Sequence, residues 1–115
     1  MYPVDMLSFE ISALGLKELL AAGGKKNCVL LDVREPWEYV EARIEGSILM
    51  PMGDIPSRAH QELDPEAHII AICHHGVRSM SVTAWLREQG FEKVQSLHGG
   101  IDAWSAEVDG KIPRY

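Results

Sequence analysis

Cysteine and aromatic residues are scarce in this chain, and no apolar stretch approaches the length of a membrane span. The 115 residues include two cysteines, and aromatic side chains make up 7% of them. Two cysteines do not provide the disulfide framework of a small secreted protein. A membrane helix needs about 20 apolar residues, and the first twenty residues here carry Asp5 and Glu10 without the basic start of a signal peptide. We therefore expect a cytoplasmic protein that has no membrane partner.

Positive charge is also in short supply. Lys and Arg number 11 against 17 Asp and Glu, which gives a formal net charge of −6. This balance argues against nucleic acid as a partner, so an anionic substrate has to be attracted by local positive charge. The hydrophobic share of 46% is ordinary for a globular protein. Without a visible linker, repeat or low-complexity tract, the sequence predicts one domain over residues 1–115.

Strand-like and helix-like segments alternate along the chain. The expected helices are a segment capped by Ser12 and ended by Gly23-Gly24, then residues 36–39, 54–63 and 77–89. The expected strands are a short one at the start, then residues 28–33, 47–50, 69–72 and 93–97. This alternation is typical of an α/β fold with a parallel sheet, where ligands bind beyond the carboxyl ends of the strands. Asp32 and Cys73 fall near that edge.

The two cysteines lie at different ends of their strands. Cys28 begins one predicted strand and Cys73 follows another, so in a parallel sheet they are separated by roughly 15 Å at about 3.3 Å per residue. A disulfide needs Cα atoms within about 7 Å. We expect two free thiols, which suit a reducing compartment.

Cys73 is delivered by an apolar strand into a short loop that begins a helix. The segment reads Cys73-His74-His75-Gly76-Val77-Arg78-Ser79. Loop amides and the first turn of a helix both stabilise a thiolate, and a stabilised thiolate is a nucleophile. Gly76 allows the positive φ that folds the amides inward. Arg78 suits an oxyanion such as a sulfonate, or pairs with a carboxylate, while Ser79 donates a hydrogen bond or supports the start of the helix.

This loop resembles the active-site loop of rhodanese-like sulfurtransferases, with the pattern Cys-x-x-Gly-x-Arg-Ser. Three further segments resemble that family in the same order: Leu31-Asp32-Val33-Arg34-Glu35-Pro36-Trp37-Glu38-Tyr39, Ile44-Glu45-Gly46-Ser47-Ile48-Leu49-Met50-Pro51 and Leu97-His98-Gly99-Gly100-Ile101-Asp102-Ala103-Trp104. The resemblance runs from about Phe9 to Trp104, and four ordered motifs are much more specific than one.

The resemblance implies a fold, a reaction and a set of site residues. The fold is a three-layer sandwich with a central, mainly parallel five-stranded sheet and helices on both faces. The reaction moves a sulfane sulfur from thiosulfate or a related donor, through a persulfide on Cys73, to cyanide, a thiol or a protein acceptor. No cofactor or metal is implied, and the expected state is a monomer or weak homodimer. The donor would meet His74, His75, Gly76, Val77, Arg78 and Ser79, with Asp32 and Arg34 in support.

Several alternatives stay open at the level of sequence. Cys73 could be a buried structural cysteine, or the domain could be a regulatory or protein-binding module without chemistry. Phosphatases of the same fold resemble this chain less, because their loop has one more residue than the four between Cys73 and Arg78. Asp32, Arg34 and Glu35 could orient the loop, but we favour an ion-pair set that fixes the turn after the strand.

Histidine and tryptophan positions also allow two interpretations. Three consecutive ligands in a tight loop do not easily surround an ion, so Cys73, His74 and His75 are not expected to bind zinc. Adjacent side chains usually diverge, and we expect at most one of the two histidines to face the pocket. Trp37, Trp85 and Trp104 are expected in the core and not in a substrate cage.

Overall fold

Apolar, β-branched segments form the strands of a single five-stranded sheet in the computed structural model, which describes residues 7–23 and 28–115. The strands are β1 Glu10–Ile11, β2 Cys28–Asp32, β3 Ile48–Leu49, β4 His68–Ile72 and β5 Val94–Leu97. The helices are α1 Ala13–Ala21, α2 Pro36–Glu41, α3 Ile55–Glu62, α4 Val77–Glu88 and α5 Gly100–Glu107. A 3-10 turn at Met52–Asp54 leads into α3.

The strand order β1-β5-β4-β2-β3 places β4 at the centre of the sheet. All four strand pairings are parallel. Asp32 on β2 is opposite Ile72 on β4, and the Val33 amide donates to the Ile72 carbonyl at 2.9 Å. Cys73 therefore leaves the sheet at the same edge as Asp32, as the sequence predicted.

Alternate residues of the strands pack into two separate apolar cores. One core joins Leu31, Ile69 and Ala71 to side chains of α3 and α4. The other joins Leu30, Ile70 and Ile72 to side chains of α1 and α5. Burial on both faces explains why these strands are continuously apolar. The predicted three-layer α/β sandwich is confirmed.

Capping residues and glycines in the sequence predicted most ends of the helices correctly. Ser12 caps α1 by accepting the Gly15 amide at 2.9 Å, and Gly23 follows the helix with a φ of 87°, while Gly24 lies outside the described residues. The predicted helix at 54–63 forms over 55–62 after the 3-10 turn. Helix α5 was not predicted, because the sequence from Gly99 offers a glycine pair in place of a recognisable capping residue.

Two of the three tryptophan predictions agree with the structure. Trp104 is buried and Trp85 packs against the core of α3 and α4. The expectation was wrong for Trp37, whose surface is 64% exposed. Its ring meets the Tyr115 ring edge-on at 5.8 Å, because it occupies the outer side of the short helix α2.

The two cysteines are free thiols at opposite ends of the sheet. Cys28 is opposite His68, the first residue of β4, whereas Cys73 follows the last residue of that strand. Burial raises the pKa of the Cys28 thiol to about 11. Within residues 7–23 and 28–115, none of the helices has the length and apolar character needed to cross a membrane.

Candidate active site

The sulfur of Cys73 lies inside the loop that joins β4 to α4. The Gly76 amide donates to Sγ at 3.0 Å and the Ser79 amide at 3.4 Å. Gly76 precedes α4 with a φ of 103°, a left-handed conformation that turns its N–H toward the sulfur. The first turn of this 12-residue helix thus faces Sγ, and negative charge on the sulfur is stabilised by the helix end.

Ser79 joins the sulfur to the sheet. The Cys73 thiol donates to Ser79 Oγ at 3.4 Å, and that hydroxyl donates to the Gly76 carbonyl at 3.2 Å. Ser79 Oγ also shares a 2.7 Å hydrogen bond with Ser96 Oγ on β5. A thiolate at Cys73 can accept from the same hydroxyl, so Ser79 has the position to support either protonation state of the sulfur.

Helix α5 fixes the first two residues of the loop through backbone hydrogen bonds. The Ile101 amide donates to the Cys73 carbonyl at 2.8 Å, and the Asp102 amide donates to the His74 carbonyl at 3.1 Å. Gly100 lies directly against both carbonyls, in a left-handed conformation with a φ of 63°. The Gly99-Gly100 pair therefore allows α5 to approach the cysteine loop at backbone distance.

Arg78 pairs with a carboxylate that comes from α2. Both of its terminal nitrogens donate to Glu38, at 2.6 and 2.9 Å. Glu38 also accepts the Tyr115 hydroxyl at 2.6 Å and the Glu35 amide at 3.0 Å. Of the two predicted roles of Arg78, oxyanion binding and carboxylate pairing, the structure shows the second.

Asp32 and Arg34 form a buried ion pair at the end of β2. The Arg34 Nε and Nη2 atoms donate to the Asp32 carboxylate at 2.9 and 2.7 Å. Arg34 Nη1 donates to the Glu38 carbonyl and to the Tyr115 hydroxyl, and Nη2 donates to the Ala42 carbonyl. This pair ties β2 to α2. Glu35 is the N-cap residue of α2, and its amide donates to Glu38 Oε1 at 3.0 Å. Asp32 and Arg34 thus form the ion pair favoured from the sequence, whereas Glu35 forms no ion pair among residues 7–23 and 28–115.

His74 and His75 do not diverge, contrary to the expectation. Their rings stack with centroids 3.9 Å apart and an interplanar angle of 19°. The other face of His74 stacks on Tyr115 at 3.9 Å and 7°, and this second surface holds the ring where it is. Burial lowers the pKa of His74, and the charge of His75 lowers it further. His75 is largely exposed, with Nε2 3.9 Å from Asp102 Oδ2.

Glu38 and Tyr115 are two residues of this site that the sequence alone did not single out. Glu38 had a local signal, since a glutamate at the third position of a helix that begins with proline is typical of a capping box. Tyr115 had none, because its partners Arg34 and Glu38 lie 81 and 77 positions earlier in the chain. Val77, named as a loop residue, has an exposed side chain.

Acid is expected to weaken the fold through Glu38. Hydrogen bonds from Arg78, assisted by Tyr115 and the Glu35 amide, lower its pKa to about 2 from an ordinary 4.5. A carboxylate with a lowered folded pKa stabilises the protein above pH 4.5, and that contribution is lost as the pH falls toward 2. Glu38→Gln should lower the free energy of unfolding at pH 7 by about 2–3 kcal/mol and flatten its decline between pH 4.5 and 2.

Urea denaturation at several pH values measures both effects. Glu62→Gln is a matched control, because Glu62 pairs with Arg58 at 2.7 Å on the exposed surface and such pairs contribute little. A Glu38→Gln variant with the slope and stability of the wild type would contradict the prediction.

Comparisons with known proteins agree with this geometry. The model of the family described as "Rhodanese-like domain" matches residues 15–107. "Putative sulfurtransferase YtwF" from Bacillus subtilis (strain 168) is 40% identical over 102 residues, which are 89% of this chain and 95% of the relative. "Thiosulfate sulfurtransferase GlpE" from Pseudoalteromonas translucida (strain TAC 125) is 34% identical over 103 residues, 88% of this chain and 95% of the relative.

A solved structure shows the same architecture. The crystal structure of a rhodanese-related protein from Thermoplasma volcanium superposes with a TM-score of 0.76 at 30% identity, covering 88% of this chain and 94% of that one. The family match spans most of the chain, including the cysteine loop and the Gly99-Gly100 pair that supports it. The chain therefore belongs to the rhodanese-like domain family.

Proposed function

We propose that this protein is a sulfurtransferase that carries a sulfane sulfur on Cys73, received from thiosulfate or a related donor. The observation that carries the proposal is the pair of backbone amides, Gly76 and Ser79, that donate to the Cys73 sulfur at the start of α4. A persulfide is anionic at its outer sulfur, and inward-facing amides stabilise such an anion. The relatives named thiosulfate sulfurtransferase support thiosulfate as the first donor to test.

The reaction divides into two balanced displacements. The Cys73 thiolate attacks the outer sulfur of thiosulfate, a new S–S bond forms, and the original S–S bond breaks with its electron pair leaving on sulfite. Cyanide or a thiolate then attacks the outer sulfur of the persulfide, and the Cys73 thiolate leaves. Each step transfers one sulfur atom and no proton, and the covalent intermediate implies ping-pong kinetics.

The loop residues have separate roles in this proposal. Gly76 and Ser79 supply the amides, and the Ser79 hydroxyl, which accepts from the Cys73 thiol, would donate to the thiolate. His74, His75 and Val77 form the part of the loop that the donor meets first. Arg78 contributes positive charge near the sulfur while its bonds to Glu38 keep the helix start in place.

Asp32 and Arg34 support the site indirectly. Arg34 holds Glu38 through its backbone carbonyl and through the Tyr115 hydroxyl that donates to the Glu38 carboxylate. The ion pair holds α2, and α2 carries Glu38. Because Arg78 donates to Glu38, this arrangement determines where the Arg78 side chain lies. The burial of Cys73, which is 1% exposed, favours transfer of a single atom over transfer of a larger group.

Intact mass spectrometry tests the proposal directly. Reduced protein is exposed briefly to thiosulfate, desalted and weighed, with and without a later cyanide step. We expect the wild type to gain the mass of one sulfur atom and to lose it on treatment with cyanide. Cys73→Ser should gain nothing, and Cys28→Ser should behave as the wild type because the Cys28 thiol is protonated and lies at the other end of the sheet.

The outcomes distinguish an error in the identity of the sulfur donor from an error in the proposed reaction. An adduct that persists in Cys73→Ser would remove Cys73 as the carrier. A folded wild type that takes no sulfur from thiosulfate, mercaptopyruvate or a protein persulfide would overturn the proposal and favour the protein-binding module.

A further inference from the structure

His74 and His75 meet a carboxylate from a different element of the fold. Asp102, in the first turn of α5, lies beside the cysteine loop because its amide donates to the His74 carbonyl at 3.1 Å. One ligand atom from each of His74, His75 and Asp102 lies within 4.8 Å of the other two. Two imidazoles and one carboxylate form a ligand set that proteins use for zinc sites with an open coordination position.

His74 offers a ring nitrogen that the rest of the fold does not use. Its Nε2 atom is buried and has no hydrogen-bond partner among residues 7–23 and 28–115. A buried polar atom without a partner is unfavourable by about 1–3 kcal/mol, so a ligand that bonds to Nε2 would remove that cost. Stacking on Tyr115 holds the His74 ring in place from one side.

We propose that His74, His75 and Asp102 bind a divalent transition-metal ion of the Zn²⁺ type, with the three side chains as its protein ligands. Sequence alone argued against a metal because three consecutive residues cannot surround an ion. The structure changes that argument, since the third ligand is Asp102 from α5 and not Cys73. This inference does not depend on the proposed sulfur transfer.

Binding requires two small rearrangements, one at the exposed His75 and one at the partly buried Asp102. An ion lies in the plane of each imidazole that binds it, so the nearly parallel rings cannot both reach it from their stacked positions. His75, whose side chain is 63% exposed, has room to rotate while His74 stays in place. Asp102 is also bonded to Arg114 through both oxygens, at 2.9 and 3.0 Å. An exposed ion pair of this kind is weak, so the metal competes with Arg114 at little cost.

Because Arg114 competes for Asp102, some variants should weaken metal binding and one should tighten it. Isothermal titration with Zn²⁺, with Co²⁺ as a spectroscopic substitute, is expected to show one ion per chain. His75→Gln and Asp102→Asn should each weaken binding at least about tenfold, since each removes one of three ligands. Arg114→Gln should tighten binding about two- to fivefold, because it frees the Asp102 carboxylate.

Two controls test two other potential ligands, the Cys73 thiol and the His98 ring. Cys73→Ser should retain the ion, because the sulfur is not a ligand in this site. His98→Gln should also retain it, although His98 forms a comparable surface pair with Glu10 at 3.0 Å. Circular dichroism of each variant verifies folding.

Three results would overturn the proposal. These are the absence of stoichiometric binding to the wild type, loss of binding in Cys73→Ser, and binding that neither His75→Gln nor Asp102→Asn weakens.

Discussion

Gly100→Ala is expected to displace the cysteine loop and lower the free energy of unfolding by about 4 kcal/mol or more. A Cβ atom on Gly100 would overlap the carbonyl oxygens of both Cys73 and His74. Those carbonyls accept the Ile101 and Asp102 amides, so the backbone cannot move aside without breaking the hydrogen bonds that hold the loop. The positive φ at Gly100 adds a conformational penalty for any side chain.

Gly90→Ala is a control that carries the conformational penalty of a positive φ without the steric overlap. Gly90 has a φ of 97°, but a Cβ atom there would meet no heavy atom within 4 Å. We expect this control to lose only about 1–2 kcal/mol and to keep the proposed sulfur uptake of the wild type. Thermal and urea unfolding of both variants measure the difference. Equal stability of the two variants would show that α5 can retreat from the loop without consequence.

Arg34→Met is expected to destabilise the protein by about 3–5 kcal/mol, the typical effect of breaking a buried ion pair from one side. Arg34 is fully buried and Asp32 is 1% exposed. Removing the guanidinium would leave the Asp32 carboxylate in the protein interior without its counter-ion. It would also remove the guanidinium hydrogen bonds to the Glu38 and Ala42 carbonyls, so the end of α2 should loosen together with β2.

A double-mutant cycle distinguishes the ion pair from simple loss of packing. Asp32→Leu combined with Arg34→Met replaces both charges by apolar groups, and this double variant should recover part of the lost stability. Arg58→Met is the exposed comparison, because Arg58 pairs with Glu62 on the surface, and it should lose much less stability than Arg34→Met. Additive single effects at Asp32 and Arg34 would contradict the coupling.

Short-range patterns were sufficient to predict most of the fold and the centre of the site. The apolar runs, the Ser12 cap and the stop at Gly90 are readable because their causes lie within a few residues. The same holds for the loop around Cys73, where strand, glycine and helix start follow one another directly. The edge shared by Asp32 and Cys73 then follows from parallel pairing alone.

Most of the contacts that sequence did not predict depend on distant segments. Arg78 could have bonded a sulfonate or a carboxylate, and only the fold shows that Glu38 lies within 3 Å of it. Likewise, the histidine rings stack because the Tyr115 ring packs against His74. No local sequence pattern predicts that contact. Such contacts depend on the packing of α2 and α5 against the sheet edge, and a single sequence contains no record of that geometry.

The placement of the two cysteines restricts the redox chemistry open to the chain. Cys28 begins β2 beside His68, a full strand length from the loop, and its thiol is largely protonated near neutral pH. In the proposed sulfur transfer, a persulfide on Cys73 would have no resolving thiol within reach, because Cys28 lies at the other end of the sheet. Intramolecular disulfide formation would therefore not release the sulfur. Under that proposal the sulfur would leave only when a second molecule attacks it, so the encounter with the acceptor would determine where the sulfur goes.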